Sequence, residues 1–234
     1  MTEYNPLPEE YRSAKPATDA TKAVNAAFLD RLDFSDRKSF DDASRGFIAT
    51  LDPISIPHDA GKRPAFELES LSFLKSEAAD TANPSLWRQA QLNANHHGLY
   101  EVVPGIYQIR SFDIANMTLI KGDTGWIIID PLTSTESSRT GLELANRELG
   151  ERPVKAVIIT HSHADHFAGV LGVVSHEEVD SGKVAMLAPE AFVDEALSEN
   201  VLAGNVMSRR ATYMYGNLLK PSATGFITTG LGAA

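Results

Sequence analysis

Residues 154–166 read Val-Lys-Ala-Val-Ile-Ile-Thr-His-Ser-His-Ala-Asp-His. The first seven are mostly apolar and β-branched, which predicts a strand buried on both faces at residues 154–160. The last six bring together three of the seven histidines of the chain and one carboxylate. This stretch therefore predicts a buried strand that ends in a group of metal-binding side chains.

The spacing within residues 161–166 suggests how metal ions could be held. His161 and His163 are expected to project to one side at the end of the strand, while the loop turns Asp165 and His166 toward a second position nearby. The chain has no cysteine, and imidazole with carboxylate suits Zn²⁺ or a similar first-row ion. Open coordination positions would let a bound water ionise near neutral pH, which implies hydrolysis. A surface turn or a purely structural metal site are the alternatives.

Short apolar runs around this stretch predict an α/β fold. Turn residues bound the runs, which predict strands at residues 99–103, 106–109, 117–120, 126–129 and 184–187. Leu142, Ala145 and Leu149 lie at helical spacing, and Gly150 follows them, so a helix is expected over residues 134–149. A further helix is predicted at residues 190–197. The helix at residues 134–149 would cross back over the sheet.

Composition and charge exclude several classes of function. The 234 residues include 21 Lys and Arg against 31 Asp and Glu, a net charge of −10, so nucleic acid is not an expected partner. No stretch approaches the length of an apolar membrane span. The first fifteen residues lack the apolar core of an export signal, so a cytoplasmic location without a membrane anchor is expected.

The strand that runs into residues 161–166 resembles the metallo-β-lactamase superfamily, whose αββα sandwich holds a dinuclear metal site at this place. Other segments look like the alkylsulfatases that hydrolyse dodecyl sulfate and related esters. They are residues 83–89 (Asn-Pro-Ser-Leu-Trp-Arg-Gln), 105–110 (Gly-Ile-Tyr-Gln-Ile-Arg), 116–118, 129–132, 198–205, 207–210 and 213–216. The resemblance runs from about residue 40 to the end.

This resemblance implies a zinc-dependent hydrolase of linear alkyl sulfate esters that works by a metal-bound hydroxide. His161 and His163 would hold one Zn²⁺, and Asp165 and His166 the other. The expected fold is the N-terminal half of the αββα sandwich, because the family draws further ligands from a later part of the domain. Two ions and a homodimer are expected for a full-length protein. The 234 residues alone are expected to be an inactive N-terminal fragment.

Three segments follow from this interpretation. Residues 1–20 are expected to form a polar arm, residues 21–95 a helical and irregular entry segment, and residues 96–234 the first part of the catalytic domain. Two alternatives stay open. One is another hydrolase on this fold, cleaving a lactone, a thioester or a β-lactam. The other is a truncated metal-binding protein without catalysis.

Polar side chains near the C-terminus are candidates for binding the sulfate group. Amide, guanidinium and phenol groups that could hydrogen-bond a sulfate ester come from Asn200, Asn205, Arg209, Arg210 and Tyr213. A polar helix face is the alternative. Hydroxyls and backbone N–H groups that could form an anion nest come from Thr228, Thr229, Gly230 and Gly232. Asp130 ends a predicted strand and is expected to orient a ligand histidine, or simply to begin a turn.

Overall fold

The computed structural model describes residues 15–61, 63–230 and 232. The α-helices are α1 (Asp19–Leu29), α2 (Lys38–Ser44), α3 (Pro84–Asn95), α4 (Thr135–Leu149), α5 (His176–Asp180), α6 (Phe192–Leu197) and α7 (Gly204–Tyr215). The strands are β1 (Phe47–Ala49), β2 (Ser55–Pro57), β3 (Pro64–Glu67), β4 (Gly98–Val103), β5 (Ile106–Arg110), β6 (Met117–Lys121), β7 (Trp126–Ile129), β8 (Val154–Ile158) and β9 (Ala185–Leu187). Short 3₁₀ turns and one π-helix, at Ser198–Leu202, complete the elements.

One sheet of seven strands organises the described residues. Its order is β1-β4-β5-β6-β7-β8-β9. Neighbouring strands in the part β1-β4-β5-β6-β7 pair antiparallel, whereas β7, β8 and β9 pair parallel. Parallel neighbours require a crossover connection, and α4 provides it between β7 and β8. The carboxyl ends of β7 and β8 therefore meet at one edge of the sheet, where the predicted ligands follow β8.

The predicted helix over residues 134–149 is confirmed, and its ends have clear causes. The side chain of Ser134 accepts a hydrogen bond from the backbone N–H of Ser137 at 3.1 Å, which satisfies one of the free donors of the first turn. Gly150 ends the helix with a φ of +90°, a conformation that glycine adopts without a side-chain clash. The strands predicted from residue 99 to residue 129 are confirmed within about one residue at each end.

The structure adds strands where none was predicted. The entry segment, residues 21–95, was expected to be helical and irregular, but it contains β2 and β3, which pair as a separate two-stranded sheet. Residues 47–49 form β1, which joins the main sheet beside β4. Strands of three or four residues are too short to show a period-2 pattern. In the polar arm, residues 1–14 lie outside the described residues, and α1 begins at Asp19 after the cap Thr18.

The hydrophobic core lies between the sheet and α4. Ile109, Met117 and Ile128 from β5, β6 and β7 are completely buried and pack with Leu144 and Ala145 of α4. Gly141 allows this packing, because a Cβ at that position would come within 2.9 Å of the Met117 side chain. A smaller cluster surrounds the buried indole of Trp87, which packs among Leu71, Leu74, Ala82 and Ala90.

The expectation that β8 is buried on both faces is wrong. Val157 is completely buried in the same cluster as α4. Successive side chains of a strand point to opposite faces. Lys155, on the same face as Val157, is exposed, and Ala156 and Ile158 on the other face are only half-buried. All three residues of β9 are exposed.

Within the described residues, no helix has the length and apolar character that a membrane span requires.

Candidate metal centre

Residues 161–166, here called the metal loop, follow the carboxyl end of β8. The strand ends at Ile158, and the Ile159 N–H still donates to the Leu187 carbonyl of β9 at 2.9 Å. The loop then closes in a 3₁₀ turn at Ala164–His166, where the His166 N–H donates to the His163 carbonyl at 3.0 Å. The turn brings the ring of His166 back toward that of His161 at the start of the loop.

The four predicted ligands form a connected group. The ring of His161 lies 4.6 Å from that of His163 and 4.1 Å from that of His166, measured between centroids. The Nε2 atom of His166 is 3.3 Å from Oδ2 of Asp165. Three imidazoles and a carboxylate thus share one place at the edge of the sheet. Their role as metal ligands, and their division between two ions, stay predictions.

Asp130 follows β7 and joins this group. Its Oδ1 accepts the Thr160 N–H at 2.8 Å, and its Oδ2 accepts the Thr160 hydroxyl at 2.7 Å. The same Oδ2 lies 2.8 Å from Nδ1 of His166, which is the contact expected of a carboxylate that orients a ligand histidine. Ligand atoms of Asp130, His161 and His166 all lie within 4.8 Å of one another. The carboxylate is therefore also close enough to bind a metal itself.

Hydrogen bonds through Nδ1 orient the rings of His161 and His166. Because the Thr160 hydroxyl donates to Asp130, it accepts from Nδ1 of His161, which is 2.9 Å away. His166 donates its Nδ1–H to Asp130. With the proton on Nδ1, each ring would present the Nε2 lone pair that binds a metal. Nε2 of His166 also faces Oδ2 of Asp165 at 3.3 Å, as two ligands of one ion would. This donor chemistry fits a zinc site, since zinc binds imidazole nitrogen and carboxylate oxygen.

The turn that follows β7 and contains Asp130 is held by the buried carboxylate of Asp113. Asp113 accepts the N–H and the hydroxyl of Thr133, each at 2.8 Å, and the N–H of Ile114 at 2.6 Å. Burial raises the pKa of Asp113, although these three donors favour its charged form. Asp130 and Leu132 have φ values of +56° and +62°, which only a well-supported backbone retains. Sequence reasoning had not singled out Asp113.

Sequence reasoning also missed Glu199. This residue lies in the π-helix Ser198–Leu202, and its Oε1 is 3.1 Å from Nε2 of His163. Its Oε2 accepts the hydroxyl of Ser162 at 3.3 Å, and the amide of Asn200 donates to the Ser162 carbonyl at 3.4 Å. The available signal was a carboxylate within residues 198–205, where only the amides had been considered.

The predicted sulfate-binding residues lie in different places in the structure. Asn200 contacts the metal loop, whereas four others lie exposed on α7: Asn205, Arg209, Arg210 and Tyr213. The Thr228 hydroxyl is used within its own turn, where it donates to the Gly232 carbonyl at 3.2 Å and accepts the Gly230 N–H at 3.1 Å. Contact of these residues, and of Thr229, with a substrate stays a prediction.

The chain is similar in sequence to known proteins. The sequence profile of the metallo-β-lactamase superfamily matches residues 110–229. A linear primary-alkylsulfatase of Pseudomonas sp. is 51% identical over 94% of this chain and 33% of its own length. An alkyl/aryl-sulfatase of Saccharomyces cerevisiae is 45% identical over 94% of this chain and 34% of its own length.

A solved structure extends the comparison to three dimensions. The stereoselective inverting sec-alkylsulfatase of Pseudomonas sp. superimposes with a TM-score of 0.87 at 43% identity, over 95% of this chain and 35% of that one. The α/β fold expected from the resemblance is thereby confirmed. The chain spans about a third of the length of these relatives. It belongs to the metallo-β-lactamase superfamily, and its homologues are alkylsulfatases.

Proposed function

We propose that this chain is the metal-binding part of a zinc-dependent alkylsulfatase that hydrolyses sulfate esters of linear alkyl alcohols. One observation carries the proposal: ligand atoms of Asp130, His161 and His166 lie within 4.8 Å of one another at the carboxyl end of β8, where His163 lies against His161 and Asp165 against His166. The names of the relatives support the class of substrate.

His161 and His163 would hold one ion, and Asp165 and His166 the second. A bound zinc supplies Lewis-acid chemistry, because it makes water acidic enough to act as a nucleophile near neutral pH. The chain contributes orientation. Asp130 holds the ring of His166 directly and that of His161 through the Thr160 hydroxyl. Such outer contacts fix which nitrogen faces the metal.

A sulfate ester is an anion, and the chain carries a net charge of −10, so local donors must bind it. Asn200 offers an amide beside the metal loop. Arg209 and Arg210 supply positive charge on α7, the helix that follows the π-helix. Guanidinium groups pair well with tetrahedral oxyanions. We assign sulfate recognition to this segment.

A chimaera tests the proposal, because this chain spans only about a third of the length of its relatives. The chain replaces the matching 222 residues of the Pseudomonas linear primary-alkylsulfatase, and release of sulfate from dodecyl sulfate is measured. Activity should disappear with a chelator and return with Zn²⁺. His161→Ala should abolish it, and His176→Ala, at an exposed position of α5, should not. Activity that resists the chelator would refute the metal mechanism.

The same chimaera separates the alternatives. Preference for a lactone, a thioester or a β-lactam over dodecyl sulfate would make the protein another hydrolase of this fold. A folded chimaera that binds zinc and hydrolyses none of these substrates would favour a metal-binding protein without catalysis.

A further inference from the structure

His163 differs from the other two histidines of the metal loop in how its ring is held. The side chain of His166 is 23% exposed, and Asp130 accepts its Nδ1–H. The side chain of His163 is 57% exposed, so packing alone does not restrict its rotamer. A ligand with a freely rotating ring would lose conformational entropy when it binds a metal. An anchor for this ring would reduce that cost.

Glu199 is placed to be that anchor. Its Oε1 lies 3.1 Å from Nε2 of His163, and its Oε2 accepts the hydroxyl of Ser162. A carboxylate oxygen can only accept a hydrogen bond, so a hydrogen bond between these two atoms requires the proton of His163 on Nε2. The lone pair of His163 is then on Nδ1. This pairing parallels Asp130 and His166, with the roles of the two ring nitrogens exchanged.

The local backbone explains how Glu199 reaches the loop. Residues 198–202 form a π-helix between α6 and α7, and such wide turns occur frequently at functional sites. Glu199 and Asn200 contact Ser162 and His163, while Val201 and Leu202 are exposed. The polar side chains therefore turn toward the metal loop, and the apolar ones turn to solvent.

We propose that Glu199 is a positioning residue of the metal centre, which accepts the Nε2–H of His163 and thereby directs Nδ1 of His163 toward the metal. The inference rests on the proposed function, since it concerns the same metal site. Metal-binding histidines commonly donate their other N–H to a carboxylate, and loss of that partner costs about 10–100-fold in metal affinity. Glu199 would be such a partner, provided by a separate element of the chain.

A direct ligand role for Glu199 is the competing assignment, because two ligands of one zinc ion can also lie about 3 Å apart. The coordinated nitrogen distinguishes the two. In the zinc-loaded chimaera labelled with ¹⁵N-histidine, long-range ¹H–¹⁵N spectra should show His163 bound through Nδ1 and protonated on Nε2. Zinc bound to Nε2 would overturn the proposal.

Zinc titration of the chimaera described above against a chromophoric chelator provides the second measurement. Glu199→Ala should weaken zinc binding by about 10–100-fold with unchanged stoichiometry. The zinc affinity of Glu199→Gln should fall between that of the unaltered protein and that of Glu199→Ala, because the amide oxygen still accepts a hydrogen bond. Glu195→Ala is the matched control, one turn earlier at an exposed position of α6. Urea midpoints measured with chelator should be equal for all four proteins, which separates lost affinity from lost folding.

The outcomes separate this inference from the metal centre itself. If the unaltered chimaera binds no zinc at this site, the proposed metal centre fails and the inference fails with it. If the unaltered chimaera binds zinc and its Glu199→Ala variant binds it equally well, the inference alone is overturned. Loss of a whole equivalent of zinc in Glu199→Ala would also overturn it, since that result identifies a ligand.

Discussion

Two regions border the metal loop, and they are built differently. On the sheet side, α4 buries six of its residues, and the preceding turn is held by Asp113 and by the backbone of Gly169. On the other side lies the segment of α6, the π-helix and α7, residues 192–215. None of its described residues is buried, and several large apolar side chains, including Leu202 and Tyr213, are exposed.

The difference shows how the predicted ligands acquire their positions. Asp130, His161 and His166 are connected through Thr160 to backbone that the core supports. His163 instead depends on a segment that contacts the loop through polar groups of Glu199 and Asn200. Segments with few buried contacts open with low free energy. We therefore expect the sheet side to tolerate mutation poorly and the α6–α7 segment to tolerate it well.

The largest contrast is expected for one substitution made in both regions. Leu144→Ala removes a side chain that is 1% exposed and should lower the free energy of unfolding by about 2–5 kcal/mol, because it leaves a cavity in the core. Leu202→Ala removes one that is 81% exposed and should change it by less than about 0.5 kcal/mol. Urea denaturation followed by circular dichroism measures both. Equal losses would show that the two regions are packed alike.

Glycine-to-alanine substitutions should give the next largest difference. A Cβ at Gly169 would lie 2.2 Å from the Pro131 carbonyl oxygen and 2.6 Å from that of Ser134. Gly169→Ala should therefore cost about 1–3 kcal/mol and weaken zinc binding, since the same backbone carries Asp130. A Cβ at Gly204 would meet nothing within 4 Å, so Gly204→Ala should be neutral or slightly stabilising. A neutral Gly169→Ala would mean that this turn is not rigid.

Helix capping should produce a smaller difference. The side chain of Ser134 caps α4, and Ser134→Ala should lower the free energy of unfolding by about 1 kcal/mol. Ser198 is exposed at the start of the π-helix, and Ser198→Ala should have an effect below about 0.5 kcal/mol. The same denaturation curves test both variants. A larger effect at Ser198 would reverse the order of the two regions.

The finest distinction is a pH dependence on the sheet side. Burial raises the pKa of Asp113 in the folded chain, so the folded state binds this proton more tightly than the unfolded state does. The stability that Asp113 contributes is greatest below its unfolded pKa of about 3.9. It is lost as the pH rises through the folded pKa. The stability of the unaltered chain minus that of Asp113→Asn, measured with chelator, should therefore fall as the pH rises. A difference that grows with pH would contradict this assignment.

Local patterns were enough to predict the central elements. The apolar runs of β5, β6 and β7 and the capped helix α4 carry their signals within a few neighbouring residues. The ligand group within residues 161–166 was visible for the same reason. Short strands such as β1 and β2 were missed, because pairing with distant partners rather than local pattern stabilises them.

Sequence alone was sufficient for the superfamily and for the strand that precedes the four candidate ligands, because contiguous residues encode both. The sequence pointed to Asp130 as a residue that orients a ligand histidine, but the three-dimensional fold was needed to identify that histidine as His166 and to bring Asp113 to Thr133 and Glu199 to His163. These pairs are 36, 20 and 36 positions apart in the chain. Contacts at such separations leave no local pattern, since they depend on how the sheet, the crossover helix and the α6–α7 segment pack around the same loop.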